Sequence, residues 1–303
     1  MDSNHRCHVG RICLICFYST SIAGEYAYVL FDIASSGLSI LRVSAIIQSV
    51  ANASKTHTSS RLSIIIPAYN EERRIGNTLS ELSAYLHETY GDKSAGIEVI
   101  VVVADSSDDT VKIVTSMGKK FLNFRLLEPG PPVGKGRDVQ YGVLRASGEV
   151  IIFMDADLAT PLYRLQEFYL TCTELNAIVI GDRNHKDSSK TLLRRLLSRI
   201  GNAYSRIVIG EHINDSQCGF KAFPAPLAKA CFGKLSILGW GFDLEILAIA
   251  CANAFQIRSI SLPDWQDQPF STYSNHLATN TLSIIWDGLR VSCRRHTNKY
   301  KVA

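Results

Sequence analysis

Carboxylates follow several short apolar runs in the first half of the chain. Glu71 and Asp105 each come shortly after such a run, and Asp155 and Asp157 directly follow a later one. Two carboxylates two residues apart can reach the same divalent cation and a diphosphate that the cation bridges. A solvated turn with one Asp capping a helix is the alternative. The pattern therefore leaves two interpretations, a cation site or a structural turn.

A lysine between two glycines, Lys135, is the second candidate for chemistry. The surrounding stretch Gly130–Gly136 lacks the four-residue spacer of a P-loop and the Ser or Thr that follows its Lys. No G-x-G-x-x-G follows the first predicted strand, so neither a P-loop NTPase nor a dinucleotide-binding protein is favoured. Lys135 can still present a cation to a phosphate. The alternative is a flexible turn.

The elements that must position these residues begin near residue 61. From there, short apolar runs alternate with longer amphipathic ones, which is typical of a parallel α/β sheet. The predicted strands are Leu62–Ile66, Ile97–Val103, Phe124–Leu127, Val150–Met154 and a later one near Ile257–Leu262. Asn70 is predicted to cap the first helix and Ser107 the second. In such a sheet, ligands bind beyond the carboxyl ends of the strands, where the carboxylates lie.

Composition sets broad limits. The 303 residues are 46% hydrophobic and 20% charged, which excludes a disordered or collagen-like chain. The net charge of +4 is too small to favour nucleic acid as a partner, but it is compatible with small anionic ligands or an anionic membrane surface. Eight cysteines scattered through apolar segments indicate buried thiols rather than a disulfide framework.

The two ends of the chain differ from the predicted domain at 61–270. Residues 1–60 are apolar, but Glu25, Asp32 and Arg42 interrupt the uncharged stretches, so a membrane anchor, a cleaved signal peptide and an interfacial or core-packed helix all stay open. Residues 271–303 form a basic amphipathic tail that suits a membrane surface or a solvated helix end. Its apolar residues at helical spacing are Leu282, Ile285, Trp286 and Leu289.

Four segments in order resemble the nucleotide-sugar half of the inverting family 2 glycosyltransferases. They are Leu62–Glu71, Glu98–Thr110, Gly134–Gly136 and Phe153–Asp157. The resemblance implies the GT-A fold, a Rossmann-like α/β architecture with a mostly parallel central sheet flanked by helices. It also implies an enzyme that transfers a sugar from a nucleotide donor.

The second half of the chain narrows the resemblance. Three segments and one predicted helix resemble the dolichyl-phosphate β-glucosyltransferases within that family. The segments are Gly181–Arg183, Asp215–Lys221 and Trp240–Glu245, and the helix lies between the first two of them. This implies transfer of glucose from UDP-glucose to dolichyl phosphate with inversion, giving dolichyl β-D-glucosyl phosphate for protein N-glycosylation. Another donor, GDP-mannose or UDP-N-acetylglucosamine, another polyprenyl phosphate and a non-catalytic nucleotide-sugar binding relative are the alternatives.

The resemblance assigns the donor side by residue. Asp155 and Asp157 are expected to hold Mg²⁺ or Mn²⁺, with Asp155 also facing the ribose and Asp157 acting in catalysis. The metal neutralises charge on the departing UDP. The other nucleotide-sugar contacts that the resemblance implies are Pro67, Ala68, Tyr69, Glu71, Asp105 and Lys135.

The acceptor side is assigned in the same way. A lipid monophosphate is already an anionic nucleophile, so its site needs cations more than a strong base. Arg183, Arg194 and Ser198 are expected to bind the acceptor phosphate, since Arg194 and Ser198 share a helix face and guanidinium groups match phosphate oxygens. Asp243 and Glu245 belong to the acceptor or sugar pocket, where one orients the sugar or acts as base. An acidic first helical turn is the alternative for one of them.

The expected location follows from the lipid acceptor. For a eukaryotic host it is the endoplasmic reticulum membrane with the catalytic domain facing the cytosol, and for a prokaryote it is the cytoplasmic membrane. The N-x-S sequence at Asn214 lies within the segment that resembles the family. A glycan there would block the site, so we expect this domain not to face a glycosylating lumen.

Overall fold

The structure, a computed structural model, describes the chain in four ranges: residues 62–183, 204–211, 213–266 and 277–302. The chain divides into two units, residues 1–58 and 59–303, and all described residues belong to the second. The expectations for the apolar N-terminal segment lie outside the described residues. Arg194 and Ser198, two of the three predicted acceptor contacts, also lie outside them.

The elements of the second unit alternate along the chain. The strands are β1 Leu62–Ala68, β2 Ile97–Val103, β3 Phe124–Leu127, β4 Val150–Met154, β5 Ile178–Asp182, β6 Phe220–Pro224 and β7 Ile257–Ser261. The α-helices used below are α1 Ile75–Tyr90, α2 Thr110–Gly118, α3 Lys135–Arg145, α4 Arg164–Leu175, α5 Ala225–Lys234, α6 Phe242–Ala252 and α7 Leu277–His296, and a 3₁₀ helix spans Gly91–Gly96.

The predicted strands are confirmed as β1, β2, β3, β4 and β7. The predicted helix caps are wrong, because α1 begins at Ile75 and Asn70 instead accepts a hydrogen bond from the Ser107 backbone N–H at 2.9 Å. This bond, with that from the Asn70 N–H to Ser106 Oγ, ties the loop after β1 to the loop after β2. The two loops that leave the carboxyl edge therefore support each other.

The seven strands form one sheet in the order β3-β2-β1-β4-β6-β5-β7. All neighbouring pairs are parallel except those made by β6, which runs antiparallel to both β4 and β5. The sheet is therefore mostly parallel, as expected for the GT-A fold. Because β6 runs in the opposite direction to its neighbours, its first residues lie at the edge of the sheet where β4 and β5 end.

Burial explains why polar and apolar residues do not alternate along the central strands. Every residue of β2 is buried, since helices cover both faces of a parallel sheet and each side chain meets a core. One core lies between the sheet and helices α3, α5 and α6, and the other lies between the sheet and helices α1, α2 and α4. Phe153 stacks with Phe223 across β4 and β6, so aromatic packing holds the antiparallel strand in the first core.

The strand order reverses at β1, and this sets the location of the site. The chain moves outward from β1 to β2 and β3, and it then returns to place β4 on the other side of β1. The carboxyl ends of β1 and β4 therefore lie side by side with connections leaving in opposite directions, which opens a crevice. Predicted site residues lie at the end of β1 and in the loop after it, at 67–71, and directly after β4, at 155–157.

The last helix, α7, packs against α6. Close approach requires a glycine at 241, because a Cβ there would lie 2.6 Å from Asp287 Oδ2. After α7, Tyr300 is buried and its hydroxyl donates a hydrogen bond to Glu245 of α6 at 2.8 Å. In the four described ranges, no helix combines the length and apolar character needed to cross a bilayer.

Candidate active site

A cavity of about 550 Å³ lies at the carboxyl edge of the sheet, beyond β1 and β4. Parallel strands end together there, so residues distant in the sequence meet around it. The predicted site residues that line it are Pro67, Ala68, Tyr69, Glu71, Lys135, Asp155, Asp157, Arg183 and Asp243. Residues predicted separately for donor, metal and acceptor therefore share one cavity.

An ion pair between Lys135 and Asp155 lies at the centre of this cavity. The Lys135 Nζ is 2.5 Å from Asp155 Oδ1 and lies 5.5 Å from the centre of the Trp240 ring. Burial alone would lower the pKa of Lys135, but the carboxylates of Asp155 and Asp243 outweigh it and raise the pKa. Lys135 therefore stays a cation and can balance anionic groups in the cavity.

The glycines on either side of Lys135 allow the chain to approach a neighbouring segment. Gly134 has a φ of 146°, a conformation that favours glycine, and a Cβ there would lie 2.6 Å from the Leu238 carbonyl oxygen. A Cβ on Gly136 would lie 2.6 Å from the Phe242 Cβ. The sequence G-K-G is thus explained by close packing on residues 238–242, which fixes Lys135 at the first turn of α3.

Gly219 makes room for the Asp155 carboxylate. A Cβ at this position would lie within 2.6 Å of Asp155 Oδ1 and still closer to Oδ2. Any side chain would therefore displace the carboxylate. Gly219 immediately precedes β6, so the antiparallel strand places a backbone segment directly against an acid that follows β4.

Asp157 lies two residues further on, in the same cavity. Its Oδ1 accepts a hydrogen bond from the Ala159 backbone N–H at 3.1 Å. Burial raises the pKa of Asp157, and the nearby charge of Asp155 raises it further, although Ala159 and the cations Arg74 and Lys135 partly oppose the change. The two acids therefore repel each other in a partly desolvated space.

The donor atoms present fit a hard divalent cation. Carboxylate oxygens are the ligands that Mg²⁺ and Mn²⁺ prefer, and Mg²⁺ is commonly bound by one or two carboxylates together with substrate phosphates. Asp155 and Asp157 supply such oxygens on one cavity wall, and a cation between them would relieve their repulsion. No cluster of three or more His, Cys, Asp or Glu residues suited to a metal occurs within the described ranges. A cation held by these two acids would take its remaining ligands from water or from substrate phosphates.

Glu71 and Arg74 form the wall near β1. Arg74 donates from Nε and Nη2 to the two carboxylate oxygens of Glu71 at 2.8 and 2.6 Å, and the Glu71 N–H donates to Thr110 Oγ1 at 2.8 Å. Burial nevertheless raises the pKa of Glu71, and Arg74 only partly opposes this effect. Sequence reasoning missed Arg74, which adds a cation on the donor side of the cavity.

Asp105 is not brought into the cavity. It is exposed beyond the end of β2, and its backbone N–H donates to the Gly130 carbonyl at 3.0 Å. Its assignment as a nucleotide contact stays a prediction. Tyr69, by contrast, lines the cavity and is partly exposed, so its ring is available to a ligand.

Arg183 also lines the cavity and is held by Asp215. Its Nε and Nη2 donate to the two Asp215 carboxylate oxygens at 2.6 and 2.8 Å, and its backbone N–H also donates to Asp215. The guanidinium lies 5.3 Å from the centre of the Trp265 ring. Although burial would raise the pKa of Asp215, the bonds from Arg183 lower it. Asp215 therefore orients Arg183, and the neighbouring acid Asp182 instead accepts a hydrogen bond from Asn214.

Replacement of Asp215 by asparagine is expected to lower the free energy of unfolding at pH 7. Removing one partner of a buried ion pair leaves the other uncompensated. Since the Arg183 side chain is 32% exposed, we expect a loss of about 2 kcal/mol rather than the 3–5 kcal/mol of a fully buried pair. Urea unfolding measures the change.

The pH dependence of that loss provides a further check. The folded-state pKa of Asp215 is lowered, so its stabilisation is present above the unfolded pKa and is lost as the pH falls through the folded pKa. The difference between wild type and Asp215→Asn should therefore shrink in acid. Asp109→Asn, at the exposed Lys112 ion pair, is the matched control and should change stability little. Equal effects of the two substitutions would contradict a structural role for Asp215.

A buried lysine holds Asp243. Lys221 is fully buried in β6, and its Nζ donates to Asp243 Oδ1 and to the Cys218 carbonyl, both at 2.5 Å. Burial raises the pKa of Asp243, and Lys221 and Lys135 partly oppose this change. Asp243 lines the cavity from the first turn of α6. Its carboxylate is therefore fixed in place between two cations.

Glu245 is oriented away from the cavity, unlike Asp243. It is fully buried and accepts hydrogen bonds from the backbone N–H groups of Ser236 and Ile237, from Ser236 Oγ and from the Tyr300 hydroxyl. It therefore holds the segment that leads to Trp240. These contacts favour a role for Glu245 in positioning the segment before Trp240. A role for Glu245 in the sugar pocket stays a prediction.

Apart from Arg74, the residues that sequence reasoning missed lie in one segment. Residues 215–221 were recognised as a motif, but no roles were given to Asp215, Gly219 or Lys221. The available signal was Lys221 itself, because a lysine inside the apolar run of Phe220–Pro224 needs a buried acid as partner. That partner, Asp243, could not be identified from spacing alone.

The fold and the cavity together define a class of protein. A mostly parallel sheet with a single antiparallel strand and two acids after β4 is the architecture of the GT-A glycosyltransferases. Residues 63–232 match the family described as glycosyl transferase family 2. The chain therefore belongs to glycosyl transferase family 2.

Curated relatives agree with this assignment. A dolichyl-phosphate beta-glucosyltransferase of Trichomonas vaginalis is 34% identical over 220 residues, covering 68% of this chain and 66% of that protein. One of Dictyostelium discoideum is 35% identical over 229 residues, covering 70% of each. The chain thus spans just under two-thirds of the length of the Trichomonas relative.

The fold comparison includes glucosyl-3-phosphoglycerate synthase from Mycobacterium tuberculosis, whose structure was solved with Mn²⁺, UDP-glucose and phosphoglyceric acid. The TM-score is 0.57 at 21% identity, and the match covers 80% of this chain and 82% of that one. The similarity supports the fold described above.

Proposed function

We propose that this protein transfers glucose from UDP-glucose to dolichyl phosphate with inversion, forming dolichyl β-D-glucosyl phosphate. The observation that carries the proposal is the cavity itself, which Asp155, Asp157, Lys135 and Arg183 line together. The names of the curated relatives, at 34–35% identity in the two comparisons above, support glucose and dolichyl phosphate as sugar and lipid.

On the donor side, the nucleoside lies against the segment after β1. Tyr69 offers an exposed ring to the base, and Pro67 and Ala68 give the backbone a close approach to the ligand. Asp155 faces the ribose, while Lys135 and Arg74 offset the negative charge of the diphosphate. Asp155 and Asp157 would hold Mg²⁺ or Mn²⁺, which would supply positive charge to stabilise the departing UDP.

On the acceptor side, the phosphate of the lipid needs orientation more than deprotonation. Arg183, fixed by Asp215, presents a guanidinium to the phosphate oxygens. Arg194 and Ser198 are proposed as further contacts, and they lie outside the described residues. A phosphate oxygen attacks the anomeric carbon as the bond to UDP breaks, and attack from the opposite face inverts the configuration.

Asp243 is placed to orient the sugar between the two sides. It lines the cavity, and its pairing with Lys221 prevents rotation of the carboxylate. A carboxylate held this way can accept hydrogen bonds from sugar hydroxyls. Because the acceptor is already an anion, this role needs no proton transfer, although Asp243 is also the candidate base if one is required.

The proposed location is the cytosolic face of the endoplasmic reticulum membrane. The relatives named above come from eukaryotes, and the proposed acceptor is a membrane lipid. Asn214 is exposed, while Asp215 beside it holds Arg183. A glycan on Asn214 would crowd the cavity wall, which supports a cytosolic rather than a luminal orientation.

A donor panel tests the proposal. Membranes containing the full chain are incubated with dolichyl phosphate and radiolabelled UDP-glucose, GDP-mannose or UDP-N-acetylglucosamine. We expect labelled lipid from UDP-glucose alone, its loss on chelation of divalent cations, and a β-linked product by NMR. Labelling from GDP-mannose but not UDP-glucose would contradict the donor, and no labelling from any donor would indicate a binding module.

A further inference from the structure

The outward face of α7 carries large apolar side chains that nothing in the described ranges covers. We call Ile285, Trp286 and Leu289 the apolar face of α7, and they are 43%, 66% and 53% exposed. Positions 285 and 289 are one helical turn apart, so the three side chains lie together. A contiguous exposed apolar patch on a helix marks an interaction surface rather than scattered surface residues.

The opposite side of the same helix packs against the rest of the domain. Val291 and Asp287 are buried, and Asp287 lies against Gly241 at the start of α6. The Tyr204 hydroxyl donates to the Ile285 carbonyl at 2.6 Å. These contacts fix the rotation of α7 about its axis, so the apolar face is directed outward by packing.

Positive charge lies close to the apolar face along the chain. The Arg290 side chain is 72% exposed, and Lys299 and Lys301 are exposed beyond the helix, whereas Arg294 lies 3.8 Å from the buried carboxylate of Glu245. Between residues 283 and 302 the one acid is Asp287, which is buried and ion-paired with Arg290. Exposed aromatic and aliphatic side chains beside a cluster of Arg and Lys fit an anionic lipid surface.

The apolar face lies next to the cavity. Ile284, the residue before Ile285, lines the cavity together with Trp240 and Arg183. A surface that binds this face would therefore lie beside the cavity wall where the acceptor phosphate is proposed to bind. The position of the patch is thus suited to a substrate whose phosphate projects from a bilayer.

We propose that the apolar face of α7 docks on an anionic bilayer, with Trp286 and Leu289 in the acyl boundary and Arg290, Lys299 and Lys301 against lipid phosphates. Docking presents the cavity to lipid phosphates at the membrane surface. The consequence for the acceptor rests on the proposed function, but the docking itself does not.

The other occupant to consider is the apolar N-terminal segment of this chain. Residues 1–60 carry four basic and three acidic residues, so their formal net charge of +1 does not complement the basic residues of α7. A cover from that segment would leave Arg290 and its neighbours unexplained. An anionic bilayer accounts for both the apolar and the charged groups.

Tryptophan fluorescence of the full chain tests the docking at one position. The chain is mixed with phosphatidylcholine vesicles, with or without phosphatidylserine, whose acyl chains are brominated to quench tryptophan. The difference between wild type and Trp286→Phe isolates the Trp286 signal, whatever anchors the rest of the chain. We expect quenching by about half or more with phosphatidylserine, and weaker quenching in neutral vesicles or high salt.

Two results would overturn the proposal. One is a Trp286 signal that anionic brominated vesicles do not quench. The other is a Trp286 emission already typical of a buried ring before vesicles are added, which would show that another part of the chain covers the face. No vesicle contains dolichyl phosphate or donor, so failure of the proposed function leaves this result intact.

A pair of surface variants links docking to transfer. Leu289→Ser should weaken vesicle binding about tenfold and raise the apparent KM for acceptor in vesicles, but not for a short water-soluble polyprenyl phosphate. Leu122→Ser is the matched control, since Leu122 is also exposed but lies between α2 and β3. Equal behaviour of the two variants toward vesicles would also overturn the proposal.

Discussion

Replacement of Asp157 by asparagine is expected to lower kcat/KM for glucosyl transfer by about 1000-fold, or about 4 kcal/mol. Asparagine keeps the size of the side chain and can still accept the hydrogen bond from the Ala159 N–H. It removes the negative charge, which is the property needed to hold a divalent cation beside a diphosphate. The measurement is the initial rate over a range of Mg²⁺ and Mn²⁺ concentrations.

The control for this variant is Asp92→Asn. Asp92 is exposed in the 3₁₀ helix before β2, at the edge of the sheet opposite the cavity. Its replacement should leave transfer and metal dependence unchanged. If Asp157→Asn retained near-normal transfer at every metal concentration, the acid would have only a structural role in the turn after β4.

Replacement of Gly219 by alanine is expected to reduce kcat/KM by about 100-fold, because displacement of a reacting group by about 1 Å can cost this much. The added methyl group would overlap the Asp155 carboxylate, which must move and take its ion pair with Lys135 with it. The side chains of Asp155 and Lys135 would then shift together. Calorimetry with UDP should show weakened binding in parallel with the loss of transfer.

Gly233→Ala separates this local effect from a general cost of removing glycine. A Cβ on Gly233 would meet no atom within 4 Å, and the residue lies in helix α5, where alanine is favoured. We expect this variant to transfer glucose normally and to be at least as stable as wild type. Full activity and normal UDP binding in Gly219→Ala would show that the carboxylate of Asp155 has no fixed place in the site.

The parallel half of the fold could be predicted because its signals are local. Short β-branched runs such as Ile97–Val103 are buried on both faces, and this burial removes the alternation of polar and apolar residues. The acids after β4 could be located for the same reason, since a buried strand must end where polar residues begin. Nine of the thirteen predicted site residues line the cavity.

The remaining features depend on contacts between distant residues. Strand β6 was missed because Lys221 breaks its apolar pattern, and the acid that allows this lysine to be buried lies 22 residues later. Asp243 and Glu245 could not be distinguished by sequence, since both belong to the first turn of α6. Only packing shows that Asp243 faces the cavity while Glu245 is bonded to residues 236, 237 and 300.

The position of β6 in the sheet also has a consequence for the order of assembly during folding. Strands β1 to β4 are consecutive in the sequence and pair with one another. Strand β5 is joined to β4 only through β6, which begins about forty residues after β5 ends. The chain is synthesised from its N-terminus, so strands that are made early can pair before later strands exist. The cavity residues that follow β1 and β4 can therefore assemble while the chain is still incomplete, and the region around Arg183 is completed only when β6 inserts between β4 and β5.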